Sequence, residues 1–235
     1  MTVALVLSGG CGSRLGSNIP KQYIRVGNQL IITYVLKVLA NYKQIDAIQI
    51  VASERWYETI LREIDNLDAV KDKFKGFSMP GETRQLSILS GLESIKSYSE
   101  DDSWVLIHDA ARPLLSSKLL DDCFETVAGH DGVLPVLPMK DTIYYSENRQ
   151  KVTALLDRTK IYAGQAPEVF RLDKYIHANR ALLPEKILNI NGSTEPAIMA
   201  GMDIALIPGD ENNFKITTQA DLEHFEQLVA KERND

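Results

Sequence analysis

Short apolar runs alternate with amphipathic stretches along most of the chain. Runs that predict buried strands lie at Val3–Leu7, Ala47–Ala52, Phe74–Met79, Trp104–His108 and Gly132–Leu137. Stretches with helical spacing lie between them, at Leu30–Ala40, Glu54–Ile64, Arg84–Ile95 and Leu115–Val127. Strands separated by helices of about 10–15 residues are typical of crossover units. The pattern therefore predicts an α/β fold, a single Rossmann-like domain with a mostly parallel twisted sheet and helices on both faces.

The alternation breaks between residues 139 and 158. Thr142–Tyr145 and Val152–Leu156 flank a polar turn, which predicts a two-stranded β-arm inserted in the domain. Because such a unit is marginal in water, we expect it to pack on a partner, and a homodimer would supply one. The remaining predicted elements are a helix near Asp173–Leu182, strands at Asp203–Ile207 and Asn213–Thr217, and a closing helix at Gln219–Lys231. A single domain over residues 1–235 fits best.

Composition and overall charge exclude several classes of protein. Hydrophobic residues make up 44% and charged residues 25%, as in ordinary globular proteins. A net charge of −6 disfavours a nucleic-acid binder. No apolar stretch approaches the roughly 18–20 residues of a membrane span, and the first residues resemble a buried strand more than a signal peptide. With two cysteines, the sequence suits a reducing cytoplasm, which is the expected location.

The distribution of charge is more informative than its sum. The first 45 residues contain no Asp or Glu and carry five cations, namely Arg14, Lys21, Arg25, Lys37 and Lys43. A cationic segment in an acidic protein favours a site for a phosphorylated ligand. The alternative is a chance run.

A glycine-rich segment, Leu7–Gly16, directly follows the first predicted strand. Small residues there let backbone N–H groups approach phosphates, at the sheet edge where open parallel sheets bind ligands. A Walker A loop is excluded because no Gly-Lys-Ser/Thr follows. A dinucleotide fingerprint fails as well, since Leu15 stands at its third glycine and no acid precedes Asp46.

Two further segments carry candidate chemistry. Lys21 follows Pro20, which stiffens the chain, in the segment without acids. Asp109 follows a buried strand, where a carboxylate is well placed to hold Mg²⁺. The alternative for Asp109 is a turn cap paired with Arg112. His108 is interpreted as a structural strand-end histidine.

Taken together, these motifs occur in an order that resembles a known family, the 2-C-methyl-D-erythritol 4-phosphate cytidylyltransferases, which include the ribitol-5-phosphate cytidylyltransferases. The segments that carry the resemblance are the glycine loop through Arg14, Pro20-Lys21-Gln22, Gly81…Arg84…Ser87, His108-Asp109-Ala110-Ala111-Arg112-Pro113, Asp141-Thr142, Asp157-Arg158 and Phe214-Lys215-Ile216-Thr217. The resemblance covers nearly the whole chain. It implies the nucleotide-diphospho-sugar transferase type of fold, and transfer of CMP from CTP to a polyol phosphate with release of pyrophosphate.

The resemblance also implies roles for individual residues. Arg14, Lys21 and Lys215 match catalytic positions at the reacting phosphates. Nucleotide contacts are implied for Ser8, Gly9, Gly10, Gly12, Gly81, Glu82, Ser87, Asp109, Ala110 and Arg112, with Mg²⁺ near Asp109. Polyol-phosphate contacts are implied for Thr142, Arg158 and Asn191, the first two reaching the other subunit of a homodimer.

Departures from the family pattern concern the polyol half of the site. Ile190–Glu195 replaces the Ile-Thr-Asp-Glu-type stretch of the methylerythritol enzymes, and Ala166 stands where the ribitol branch has Thr. The polyol, and with it an isoprenoid or a teichoic-acid-type pathway, stays open. A nucleotidyltransferase with another base or acceptor, of sugar-phosphate or molybdopterin type, and a non-catalytic CTP-binding regulator remain as alternatives.

Overall fold

The first strand, β1 (Thr2–Leu7), is apolar on both faces, which is typical of a strand covered from two sides. In the computed structural model of the chain, which describes residues 1–10 and 19–232, β1 lies inside the main sheet, between two parallel neighbours. Successive strand residues point to opposite faces, so Ala4 and Val6 join one buried cluster while Val3 and Leu5 join another. The hydrophobic core is therefore two layers, one on each face of the sheet.

The strands of the described residues are listed here in chain order: β1, β2 (Arg25–Val26), β3 (Gln29–Leu30), β4 (Ala47–Val51), β5 (Phe74–Ser78), β6 (Trp104–Asp109), β7 (Gly132–Pro138), β8 (Ile143–Tyr145), β9 (Ala154–Leu156), β10 (Tyr162–Gly164), β11 (Glu168–Arg171) and β12 (Ile204–Pro208). Eight of them, within those residues, form the main sheet: seven follow the order β5-β4-β1-β6-β11-β7-β12, and β10 is the eighth. β10 pairs with the end of β7 along the same edge as β11. β10 and β11 run antiparallel to their neighbours, and the other pairings are parallel.

Helices cover both faces. They are α1 (Ile31–Asn41), α2 (Tyr57–Ile64), α3 (Asp68–Lys73), α4 (Arg84–Lys96), α5 (Ser117–Thr126), α6 (Leu172–Arg180), α7 (Glu195–Met199) and α8 (Gln219–Glu232). Apolar residues of α1 and α5 join the first cluster, and those of α4 and α6 join the second. In the described part of the chain, no helix has the length and apolar character needed to cross a membrane.

The predicted α/β fold is confirmed, with several local differences. β11 was not predicted, although it lies between β6 and β7. Its four residues run directly into α6, so no turn signal separates strand from helix. The predicted strand at Asn213–Thr217 is wrong, because this segment is an irregular loop. The predicted helix at Glu54–Ile64 divides into a 3₁₀ turn, Glu54–Trp56, and α2.

The predicted β-arm is present as the antiparallel pair β8–β9, separate from the main sheet. Tyr144 lies opposite Leu155, and the two side chains are 60% and 65% exposed. Within the described chain, this apolar pair of the arm therefore faces solvent. The dimer that the arm was predicted to form stays a prediction.

Candidate active site

A cavity of about 440 Å³ lies beyond the carboxyl ends of β1 and β6, at the N-terminus of α4. This is the edge at which open α/β sheets bind ligands. Its lining residues are Leu7, Gly9, Gly10, Lys21, Gln22, Val51, Gly81, Glu82, Thr83, Arg84, Ser87, Asp109, Ala111, Lys215 and Thr217. Gly9, Gly10, Lys21, Gly81, Glu82, Ser87, Asp109 and Lys215 were predicted from sequence. Gly12 and Arg14, predicted as well, lie outside the described residues.

Hydrogen bonds from the side chains of Gln22 and Tyr23 anchor the turn after β1. The buried Gln22 side chain donates hydrogen bonds to the carbonyl oxygens of Ser8 (2.7 Å) and Gly10 (2.9 Å). The Tyr23 hydroxyl donates to the Ser8 carbonyl at 2.9 Å and accepts from the Ser8 hydroxyl at 2.8 Å. Sequence reasoning noticed Gln22 only as a neighbour of Lys21. Its anchoring role depends on long-range contacts that no local pattern reveals.

Three glycines line the cavity, and an added Cβ would meet different surroundings at each of them. A Cβ on Gly9 would come within 2.6 Å of the Pro80 Cβ, and one on Gly81 within 2.4 Å of the Leu86 Cβ. No described residue lies within 4 Å of a Cβ built on Gly10. Gly10 also lines the cavity, where the described residues leave room for a ligand.

The N-terminus of α4 forms the opposite wall. Thr83 caps the helix by accepting from the backbone N–H of Leu86 at 3.1 Å. The Ser87 hydroxyl accepts from the N–H of Gly81 at 3.0 Å and donates to the carbonyl of Thr83 at 2.9 Å. These bonds order residues 81–84 around a helix terminus that favours negative charge.

Asp109 is the last residue of β6, and its buried carboxylate contacts three cationic side chains. Lys215 Nζ lies 3.0 Å from Oδ2, Arg84 Nη2 3.3 Å from Oδ1, and Arg112 Nε 3.4 Å from Oδ2. Burial opposes ionisation, but the charges of Arg84, Lys215 and Arg112 outweigh it and hold the pKa of Asp109 well below its usual range. Asp109 is therefore ionised at neutral pH. The alternative prediction for Asp109, a turn cap paired with Arg112, accounts for only one of these three partners.

Lys215 reaches Asp109 because its loop is fastened on both sides. The backbone N–H of Ile216 donates to the carbonyl of Ala111 at 2.9 Å, and Ile216 is fully buried. One residue before Phe214, the carbonyl of Asn213 accepts from Arg112 Nη1 at 2.8 Å. An irregular loop with these anchors places the lysine 106 positions along the chain from its carboxylate.

The cations at the cavity come only partly from the cationic first segment. Arg25 pairs with Glu63, and Lys37 pairs with Gln29, so neither lines the cavity. Lys21 does line it. Arg84 and Lys215 supply the remaining positive charge of the described lining, from later parts of the chain.

Several predicted site residues lie elsewhere. Ala110 is 1% exposed, and its N–H donates to the Leu7 carbonyl, so its neighbour Ala111 lines the cavity instead. The hydroxyl of Ser8 is engaged with Tyr23, and Arg112 contacts Asp109 from outside the lining. Thr142, Arg158 and Asn191 are all exposed and absent from the cavity of a single chain.

His108 is a structural residue of β6. It is fully buried, and Nε2 donates to the carbonyl of Arg112 at 3.0 Å. Burial lowers its pKa to about 4, so the ring is neutral at physiological pH. Among the described residues, no group of three or more His, Cys, Asp or Glu side chains is arranged to hold a metal ion.

Comparisons with known families agree with the sequence motifs. The family model described as 2-C-methyl-D-erythritol 4-phosphate cytidylyltransferase matches residues 2–231. A bifunctional enzyme IspD/IspF of Bartonella bacilliformis is 33% identical over 230 residues, which are 97% of this chain and 56% of that protein. The chain thus spans little more than half the length of these bifunctional relatives.

Other relatives match end to end. A ribitol-5-phosphate cytidylyltransferase of Vibrio parahaemolyticus is 31% identical, covering 100% of this chain and 98% of that protein. A 2-C-methyl-D-erythritol 4-phosphate cytidylyltransferase of Thermotoga neapolitana is 32% identical, covering 99% and 98%. The crystal structure of 4-diphosphocytidyl-2C-methyl-D-erythritol synthase from Anaerococcus prevotii superposes with a TM-score of 0.82 at 22% identity, covering 97% of this chain and 96% of that one, which shows the shared fold.

Proposed function

The chain belongs to the 2-C-methyl-D-erythritol 4-phosphate cytidylyltransferase family, and from that premise we propose that it transfers CMP from CTP to a polyol phosphate, forming a CDP-polyol and pyrophosphate. One observation carries the proposal. The cavity joins an open glycine turn, a capped helix N-terminus and the cations Lys21, Arg84 and Lys215. This combination suits a polyphosphate chain rather than a neutral ligand.

The proposed reaction needs no general base in the protein. A phosphate monoester is mostly dianionic at neutral pH because its second pKa is about 6. One of its oxygens attacks the α-phosphorus of CTP, the bond from that phosphorus to the bridging oxygen breaks, and pyrophosphate leaves with the electron pair. The main barrier is bringing one anion to another. Lys21 and Lys215, with Arg14 from outside the described residues, would neutralise that charge in place.

Mg²⁺ is proposed as the cofactor, with Asp109 as its protein ligand. An ionised carboxylate has about four lone-pair positions, and the contacts of Lys215, Arg84 and Arg112 at 3.0, 3.3 and 3.4 Å take up three of them, which leaves one for the ion. Mg²⁺ commonly binds through one or two carboxylates together with substrate phosphates, so a single Asp beside a phosphate cavity fits. When bound, the ion would neutralise charge on the nucleotide phosphates.

The acceptor is one of two polyol phosphates. The relatives named for methylerythritol phosphate and for ribitol phosphate match this chain with nearly equal identity. The test is a panel of CTP, UTP, GTP and ATP, each with 2-C-methyl-D-erythritol 4-phosphate, ribitol 5-phosphate or no acceptor, in which pyrophosphate release is followed. We expect release with CTP and one polyol phosphate. Release with another nucleotide would refute cytidylyl transfer, and binding of CTP without turnover on either acceptor would favour a regulator.

The β-arm is proposed to make a homodimer and to deliver Thr142 and Arg158 to the other subunit's acceptor site. Support comes from the exposed apolar side chains of the arm and from the fact that neither residue lines the cavity of its own chain. Arginine suits the role because its planar fork can hold two phosphate oxygens. We also propose a cytoplasmic location, which the scarcity of cysteines supports because a reducing compartment disfavours disulfides.

Subunit mixing tests the shared site. Arg158→Ala should raise KM for the polyol phosphate and leave CTP affinity unchanged. Mixing Arg158→Ala subunits with Lys21→Ala subunits should restore activity, because each heterodimer regains one complete site. A monomer in sedimentation at assay concentration, or no recovery after confirmed subunit exchange, would refute the arrangement.

A further inference from the structure

Two buried side-chain amides hold the loop that leads to Lys215, and the proposed mechanism does not use them. Gln165 is 4% exposed, and its amide bonds to both backbone groups of Asp210. Its Nε2 donates to the Asp210 carbonyl at 2.9 Å, and its Oε1 accepts from the Asp210 N–H at 3.0 Å. Asn213 is fully buried, and its Nδ2 donates to the carbonyl of Ala166 at 2.7 Å. The segment that leads into β11 is therefore bonded to this loop at two points.

Hydrogen bonds within the loop join the two points. The carbonyl of Asp210 accepts from the backbone N–H of Asn213 at 3.0 Å, in addition to its bond from Gln165. Oδ1 of Asp210 accepts from the N–H of Asn212 at 2.9 Å. Asp210 therefore fixes the turn up to Asn213, and a bond lost at Gln165 acts on Asn213 through Asp210.

Asn213 is also bonded to the carboxylate that Lys215 contacts. Its carbonyl accepts from Arg112 Nη1 at 2.8 Å, and Arg112 Nε lies 3.4 Å from Asp109 Oδ2. Lys215 Nζ lies 3.0 Å from the same oxygen. Asn213 and Lys215 are two positions apart, so these contacts close a ring, one side through Arg112 and the other direct. The Asn213 side chain fastens that ring to Ala166.

We propose that Asn213 and Gln165 are positioning residues for Lys215. Neither side chain lines the cavity, so each acts on the reaction through the lysine. The ammonium of a lysine stands on a flexible four-carbon stem. It is held at one place only where the backbone that carries it is fixed, and the two amides fix that backbone. This inference rests on the proposed function, in which Lys215 neutralises charge at the reacting phosphates.

Loss of either amide should lower kcat and leave the affinity for CTP nearly unchanged. Misplacing a catalytic group by about 1 Å can cost about 10²-fold in rate. We expect kcat to fall about tenfold in Asn213→Leu and in Gln165→Met, less than after removal of Lys215 itself. The glycine turn and the N-terminus of α4 are unchanged in both variants, so Kd for CTP should stay within about threefold of wild type.

The experiment measures kcat at saturating substrates, Kd for CTP by calorimetry and the free energy of unfolding in urea, all on the full chain. Leu and Met approximate the sizes of Asn and Gln and remove the amide hydrogen bonds. Gln49→Met is the matched control. Gln49 is 2% exposed, its amide bonds to Ser78 and Tyr98, and it lies outside the cavity lining. The control should lose a similar amount of stability and keep the wild-type kcat.

A double-mutant cycle separates positioning of the lysine from a general loss of order. Once Lys215 is replaced by Ala, Asn213→Leu should have no further effect on kcat. An undiminished effect in that background would overturn the inference. So would a wild-type kcat in Asn213→Leu or in Gln165→Met, or an equal fall of kcat in Gln49→Met.

If Asn213→Leu fails to fold, Gln165→Met decides by the same comparisons. Failure of the proposed function gives a different result. A wild-type protein without turnover of CTP on either polyol phosphate would refute that function, and the positioning role with it. An active wild-type protein with an unchanged kcat in these variants would refute the positioning role alone.

Discussion

Replacing Asp109 by Asn should destabilise the protein through charge repulsion. The substitution keeps the shape of the side chain and removes the anion that Arg84, Arg112 and Lys215 share. Removing one partner of a buried ion pair typically costs about 3–5 kcal/mol. The side chains of Arg84 and Lys215 are 37% and 35% exposed, so water screens part of the effect. We therefore expect a loss of about 2–3 kcal/mol in the free energy of unfolding at pH 7.

The sign of the pH dependence follows from the lowered pKa of Asp109. Its contribution is complete above the unfolded-state pKa, about 3.9, and is lost only as the pH falls toward the folded-state value. The difference between Asp109→Asn and wild type should accordingly be constant between pH 6.5 and 8.

Urea denaturation at low and high salt measures the effect. Salt screens the repulsion among the remaining cations, so the loss should shrink at high ionic strength. Asp122→Asn is the matched control, because Asp122 pairs with the exposed Lys118 and should cost less than about 1 kcal/mol. A change below about 0.5 kcal/mol in Asp109→Asn, or a loss that does not respond to salt, would refute the electrostatic reasoning. Retention of the wild-type Mg²⁺ activation curve would separately refute metal binding by Asp109.

Two further predictions concern the same cavity, and a third concerns the buried His108. Lys21→Ala and Lys215→Ala should each lower kcat by about 10²–10³ with little loss of thermal stability, because each removes a preorganised charge. Lys118→Ala, which removes an exposed lysine, serves as the control. Near-normal turnover in Lys21→Ala or Lys215→Ala would contradict the catalytic role of that lysine. Gly10→Ala should leave the free energy of unfolding unchanged but raise KM for CTP about tenfold, because the added Cβ would enter the cavity. An unchanged KM would show that CTP binds elsewhere. Stability should fall from pH 6.5 toward about 4 by up to about 1.4 kcal/mol per pH unit, because the buried neutral ring of His108 gains a proton more readily when unfolded. In acid titration, the stability of His108→Asn should depend less on pH than that of wild type. An identical slope of stability against pH in the two proteins would contradict the role assigned to His108.

Much of the fold could be predicted because strands and helices leave local periodic patterns. β1 and β6 are apolar on both faces, and that property alone places them inside a covered parallel sheet. β11 escaped prediction because its four residues continue directly into α6, and its place between β6 and β7 depends on pairing with distant strands. The segment from Asn213 to Thr217 has the alternation of a strand, but its backbone groups bond to the Ala111 loop and to Asp221 instead of a ladder.

The candidate site, too, was predictable from local patterns only in part. The glycine turn, Lys21 and the strand-end Asp109 were found from sequence, because each stands at a recognisable point of the strand pattern. The charge arrangement around Asp109 was not found. Arg84 lies 25 positions before it and Lys215 lies 106 positions after it.

By itself, therefore, the sequence determined which segments become buried strands and helices, where the glycine turn falls, and which family the motifs match. The tertiary structure decided which charges meet. Arg25 and Lys37, which looked like part of a phosphate site, pair with Glu63 and Gln29 away from the cavity. Arg84 and Lys215, from later parts of the chain, instead meet at Asp109. The physical reason is that hydrophobic periodicity is written in neighbouring residues, whereas electrostatic contacts act over a few ångströms between groups that only the completed sheet brings together.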